Sequence, residues 1–210
     1  MDQIIRKLPQ RSPDHPEARI LTCAFTGYRP QKMPFGFNEE DLRCVDLKRR
    51  LRCAIEVLIW RGCSHFITGG ALGFDTFAAE AVMNLRRKYP WITLEIAIPY
   101  DGQEERWNSR AQDRYSWIVN QADIVTWVSH AFTRGSLAKR NCYLVDRCDL
   151  LIAAYDGLPG GTEQTVNYAK SRGKEIWYLQ PSGPETKRDA LYAEGPVWGR
   201  NAALRSACCG

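Results

Sequence analysis

The sequence predicts an α/β protein: an open, mostly parallel sheet with helices covering both faces, a three-layer sandwich. Two observations carry this. Short apolar runs alternate with amphipathic stretches of helical length through most of the chain. Two glycine loops, Thr68-Gly69-Gly70-Ala71-Leu72-Gly73-Phe74-Asp75 and Pro159-Gly160-Gly161-Thr162, each follow an apolar run and precede a helical one. Such a junction presents free backbone N–H groups and the positive end of a helix dipole, so a phosphate or another anion is its usual guest.

Residues 20–26 form an apolar run ending in Thr26-Gly27, read as a buried first strand. After a loop with Pro30 and Pro34, a helix is expected over 38–61. Its apolar positions Leu47, Leu51, Ala54, Ile55 and Leu58 keep helical spacing, and Gly62 stops it. A strand at 65–68 enters the first glycine loop. Phe74, Phe77, Ala78, Ala81, Val82 and Leu85 mark one face of the next helix, which Pro90 closes. A strand over 93–98 ends at Pro99. The helix expected over 104–122 carries Trp107, Ala111, Tyr115, Ile118 and Ala122 on one side. Residues 123–128 read as a strand, 135–147 as a helix, and 149–155 as the clearest buried strand. The second glycine loop follows, then a helix through Lys170, a stop at Gly173 and a last strand over 175–179. The expected organisation is an N-terminal extension (1–18), one α/β domain (19–180) and a C-terminal tail (181–210). In such sheets ligands bind outside the carboxyl ends of the strands, so both glycine loops and the Thr26-Gly27 turn should face one crevice.

The chain has 210 residues, 44% of them hydrophobic and 25% charged, as in a soluble globular domain with a core. A net charge of +5 suits phosphate-bearing ligands but makes no nucleic-acid signature without a long Lys/Arg block. The polar first 18 residues carry no signal-peptide pattern, and no apolar stretch approaches the ~20 residues a membrane span needs. The eight cysteines include no C-x-x-C pair, and Ala207 stands where a prenylation box requires Cys. A reduced, cytosolic protein with no membrane partner and no metal site is expected.

Gly69 and Gly70 permit tight turning and close approach to a ligand, and Gly73 lets the helix start pack near the sheet. Asp75 suits the helix dipole or accepts from a ribose hydroxyl. Thr162 is expected to cap its helix, with Glu163 in the first turn; the paired Gly160 and Gly161 exceed what a cap needs and point to ligand contact. Arg29 can clamp a phosphate through its fork of donors or lie plainly on the surface. Gln103 is placed to touch a base or ribose, and Trp107 to stack on one, although Trp107 equally fits its helix's apolar stripe. His15, His65 and His130 lack partners at metal or triad spacing and read as structural or surface residues. The Walker A, G-x-S-x-G and G-x-G-x-x-G patterns are absent, which disfavours a conventional NAD dehydrogenase.

The run Thr26-Gly27-Tyr28-Arg29-Pro30-Gln31-Lys32-Met33-Pro34-Phe35 and the 68–75 loop with Ala78-Ala79-Glu80 resemble the YpsA-type SLOG proteins. Pro99 with Gln103 and Trp107, and Gly160-Gly161-Thr162 with Thr165 and Tyr168-Ala169, agree. The resemblance spans residues 20–180. It implies a Rossmann-like SLOG fold shared with the Lonely Guy cytokinin-activating hydrolases and the DprA/Smf DNA-processing proteins. It also implies nucleotide binding with Gly70, Gly73, Asp75, Gly160, Gly161 and Thr162 lining the pocket, and homodimers among relatives. A link to bacterial cell division has been proposed for some members. Lonely Guy hydrolases carry P-G-G-x-G-T-x-x-E. Here the x-G step is missing, Thr165 or Asn167 stands where the glutamate belongs, and Glu163 adjoins the threonine.

The leading expectation is therefore a cytosolic bacterial or phage protein that binds a nucleotide or NAD-derived, ADP-ribose-like small molecule as a sensor or regulator. The enzymatic alternative is a nucleoside-monophosphate N-glycosidase using Glu163 or Asp75. A DprA-like DNA-handling module is the third, disfavoured by the modest charge.

Overall fold

The structure, a computed structural model, describes residues 1–183. Within them one sheet contains β1 (Asp2–Ile5), β2 (Leu21–Gly27), β3 (Cys63–Thr68), β4 (Thr93–Ile98), β5 (Ile124–Trp127), β6 (Leu150–Ala154) and β7 (Glu175–Tyr178). The strand order is β1-β5-β4-β3-β2-β6-β7. All neighbours run parallel except β1 against β5. The crossovers carry α1 (Leu42–Trp60), α2 (Phe74–Arg86), α3 (Ser109–Gln121), α4 (Ser136–Arg147) and α5 (Gly161–Ser171).

Every residue of β3, β4 and β6 is buried; β6 reads as an unbroken apolar run, while β3 and β4 also bury Ser64, His65, Thr68, Thr93 and Glu95. Alternation divides the core into two layers. Phe25, Phe66, Leu94, Ile96 and Ile152 pack with α1, α2 and α3 on one face. The smaller Ala24, Ile67, Ala97 and Leu151 meet α4 and α5 on the other. The three-layer α/β architecture expected from the sequence is therefore observed. Cys23, Cys63 and Cys148 are buried, and burial pushes all three thiols up, Cys148 to about 11.

Three boundaries differ from expectation. Helix α1 starts at Leu42, where the Asp41 carboxylate accepts from the Arg43 N–H at 2.8 Å. Helix α3 starts at Ser109 because Asn108 caps it, accepting from the Ala111 N–H at 2.9 Å; Trp107 thus lies in the preceding turns and not on the helix stripe. Part of the N-terminal extension joins the sheet as β1, and Arg6 and His15 reach back to the carbonyls of Ala122 and Trp60. Most of the expected tail, from residue 184 onward, lies outside the described residues.

The strand order reverses between β2 and β6. The chain steps from β2 out to β5 beneath α1–α3, then returns beneath α4 to place β6 on the far side of β2. Connections diverge there, leaving a crevice above the carboxyl ends of the two strands.

Candidate functional site

The crevice holds a cleft of about 330 Å³, whose lining includes Thr26, Gly27, Arg29, Asp75, Arg140 and Gly161. Its floor is the end of β2, one wall is the β3–α2 loop, and the opposite wall is α4 and the start of α5. Both glycine loops thus open on one space.

In the first loop, Gly70 and Gly73 have φ of +65° and +92°, a region that favours glycine. A Cβ on Gly73 would lie 2.6 Å from the Tyr28 carbonyl oxygen, which accepts the Phe74 N–H at 3.3 Å. Gly73 therefore seats α2 against the β2 loop and does not itself line the cleft. Asp75, on the first turn of α2, turns its carboxylate back to accept from the Ala71 N–H at 3.3 Å and from Arg140 Nη1 at 3.4 Å.

Asp75 and Arg140 are both more than nine-tenths buried. They join the two helical layers across the sheet edge, since Asp75 belongs to α2 and Arg140 to α4. Burial pushes the Asp75 carboxyl above its ordinary value and the Arg140 guanidinium below its own; their mutual attraction, and for Asp75 the backbone N–H bond from Ala71, offset this only in part. Arg140 Nε donates to Asn141 Oδ1 at 3.0 Å and Nη1 to Asp75, while Nη2 makes no hydrogen bond among the described residues. A guanidinium carries five N–H donors. This one lines the cleft with donors to spare, beside Arg29 and Lys32.

In the second loop, α5 begins at Gly161 with Gly160 as its N-cap, at φ +144°. The sequence assigned the cap to Thr162, but the backbone there requires glycine, so Thr162 becomes the second helical residue. The Glu163 carboxylate reaches back toward the Gly160 N–H at 3.4 Å and lies outside the cleft lining. Lys32 Nζ donates to the Pro159 carbonyl, beside the position a Gly160 Cβ would occupy. Nothing lies within 4 Å of the corresponding position on Gly161, which opens on the cleft. The Tyr28 hydroxyl donates to Asp156 at 2.7 Å and accepts the Leu158 N–H at 2.9 Å, fastening the β2 loop to the β6 loop.

Gln103 and Trp107 do not reach this cleft. Gln103 Nε2 donates to the Gly69 carbonyl at 3.4 Å and to the Tyr115 hydroxyl at 2.9 Å. Trp107 stands edge-on to Tyr115 with ring centroids 5.4 Å apart. A Cβ on Gly70 would meet Ile96 and Tyr115 at 3.1 and 3.2 Å, so Gly70 also faces this wall. Behind it lies a second recess of about 310 Å³ with Asp101 and Glu104 on its lining and no Lys or Arg there, a poor place for a phosphate.

Of the sequence-derived site residues, the structure gathers Thr26, Gly27, Arg29, Asp75, Gly161 and Thr162 around the cleft. It sets Gly69 and Gly160 against Arg140 and Lys32, and uses Gly70, Gly73, Gln103 and Glu163 to hold the walls. Sequence reading missed Arg140. The available signal was its place one turn before Tyr143 and Leu144, an arginine on the inward stripe of α4.

Comparison with known proteins is decisive for the family: residues 23–182 match the model of the YspA SLOG family, YpsA. The chain belongs to the YspA SLOG family. A relative, the SPbeta prophage-derived protein YoqJ of Bacillus subtilis, is 35% identical over 152 residues, 65% of this chain and 89% of YoqJ. A UPF0398 protein of Bacillus velezensis is 27% identical over 162 residues, 76% of this chain and 88% of that one. Among solved structures, DNA processing protein A of Helicobacter pylori, described with a single-stranded DNA binding mode, superposes with a TM-score of 0.54 at 18% identity. That match covers 83% of this SLOG chain and 73% of the other. DprA of Streptococcus pneumoniae gives the same TM-score at 14% identity, covering 83% and 54%. At these identities the likeness concerns the fold. No helix among the described residues is long and apolar enough to cross a membrane.

Proposed function

We propose that this SLOG protein binds the phosphate of a nucleotide or nucleotide derivative in the cleft above β2 and β6, acting as a sensor or regulator. One observation carries the reading: Arg140, buried and with donors to spare, faces a cleft that both glycine loops, Arg29 and the start of α5 also border. A buried guanidinium with incomplete hydrogen bonding favours an anionic guest, and the N–H groups opening α5 add donors in the same space.

The carboxylates speak for binding over cleavage. Glu163 is turned to the start of α5, and Asp75 is engaged by Arg140 and the Ala71 N–H. An N-glycosidase needs a carboxylate free to work at the anomeric carbon. Incubation with AMP, IMP, GMP or NAD is expected to release no free base.

Calorimetry with AMP, ADP-ribose, NAD and adenosine tests the proposal. Saturable binding is expected for phosphorylated compounds and not for adenosine, and is lost in Arg140→Met and Gly161→Leu. No saturable binding of any phosphorylated compound, or unchanged affinity in both variants, removes the proposal. The structural likeness to DprA supports a second reading, in which the guest phosphate belongs to single-stranded DNA. A gel shift that weakens steeply with salt, with no mononucleotide heat, would select it.

A further inference from the structure

Between the sheet and α4 lies a buried polar network. Glu95, 4% exposed on β4, accepts the Tyr143 hydroxyl at 2.6 Å and the Thr126 hydroxyl at 2.8 Å on one oxygen. His65 Nε2 lies 2.9 Å from the other. The second nitrogen of His65 meets Thr93 Oγ1 at 2.9 Å, and Gln3 of β1 donates to Thr126 at 2.7 Å. The carboxylate is thereby held from β3, β5 and α4 at once. Burial alone would raise it; the hydrogen bonds from His65, Tyr143 and Thr126 win and hold it below its ordinary value.

A carboxylate in the middle of a sheet invites replacement by an apolar residue of similar volume unless its direction is used. The apolar packing of this layer, Leu144, Val145 and Cys148 against Ala24, Ile67, Ala97 and Leu151, is non-directional; apart from Arg140 itself, α4 is also bonded at Asp146, which accepts the Tyr168 hydroxyl of α5 at 3.0 Å. Tyr143 and Arg140 sit three positions apart, one turn of helix, on the inward side of α4. Arg140 Nη1 rests against the Gly69 backbone, 1.1 Å from the position a Cβ there would take.

We infer that Glu95, acting through Tyr143, is a positioning residue that pins α4 in rotation and so holds the Arg140 guanidinium between Gly69 and the cleft. The inference rests on the proposed reading of Arg140 as the anion contact, but one arm of its test needs no ligand. Three variants are compared with the parent: Tyr143→Phe, which removes one hydroxyl; Glu95→Gln, which keeps an oxygen to accept from Tyr143; and Val145→Ala, which weakens the same interface without touching the network.

Tyr143→Phe is expected to lower AMP affinity by about tenfold, the worth of a displaced charged hydrogen bond. It is also expected to broaden the Arg140 Nε–H resonance of the ligand-free protein. Glu95→Gln should keep AMP affinity within about twofold and retain that resonance, while Val145→Ala lowers the melting temperature and changes neither. An unchanged resonance in Tyr143→Phe, equal losses in Glu95→Gln, or equal losses in Val145→Ala would overturn the inference. Should the parent bind no AMP, the functional proposal fails alone and the resonance decides this one.

Discussion

The Cβ that Gly69 lacks would stand 1.1 Å from Nη1 of Arg140, so the backbone at the end of β3 is shaped around a guanidinium from the opposite helical layer. Gly69→Ala must evict that group, and Asp75 then stays buried without its partner. A cost of about 3 kcal/mol is expected, a fall in melting temperature of roughly 6–12 °C for a chain of this size. Thermal denaturation followed by circular dichroism reads it, and a melting temperature within a degree of the parent would refute the steric argument.

Gly73 and Gly161 should respond oppositely. Gly73→Ala meets the Tyr28 carbonyl oxygen at 2.6 Å from a backbone at φ +92°, and backbone strain alone is worth about 1–3 kcal/mol. Gly161 lies in α5 with open space around it, so Gly161→Ala should raise stability by about 0.5–1 kcal/mol through helix propensity. Urea midpoints of the two variants, measured side by side, check the sign of each.

Glu95 gives stability a defined dependence on acid. Its folded value is held below the ordinary 4.5, so the unfolded chain binds the proton first. Its contribution is therefore fully present above pH 4.5 and is lost as pH falls through the lower folded value. Glu95→Gln should flatten that limb of the stability profile while lowering stability at neutral pH. Denaturant titrations between about pH 3 and 7 compare the slopes.

His130 titrates the other way. Hydrogen bonds to Asp101 and then Asp2 raise it above 6.5, and its ring stacks on Trp127 of β5. The stabilisation is full below pH 6.5 and fades as pH rises through the raised value. In an NMR titration the His130 midpoint should move down in Asp2→Asn. An unmoved midpoint would show that Asp2 contributes nothing to it.

The sheet and both glycine loops were legible because parallel strands buried on two faces leave unbroken apolar runs, as in Leu150–Ala154. Trp107 was misplaced because its spacing from Ala111 and Tyr115 imitates a helix stripe; the Asn108 cap, a local hydrogen bond, overrides the pattern. Arg140 was passed over, despite its place on the inward stripe of α4, because a charged residue reads as surface until a carboxylate from another layer, Asp75, is folded against it. Strand β1 escaped notice for the converse reason: all four of its residues are exposed, so backbone pairing and not burial creates it. Glu95 lay unremarked in its strand, since a single acidic letter gives no sign of the three hydroxyl and imidazole partners that later surround it.

That first strand also sets an order of events. Gln3 finds Thr126 only 123 positions further along, and among the described residues Asp2–Ile5 pair with no other strand. On a growing chain these residues must therefore wait until β5 has left the ribosome, whereas β2, β3 and β4 can associate sooner. Residues Asp2–Ile5 thus join the sheet later than the β2–β3–β4 pairing that follows them in sequence.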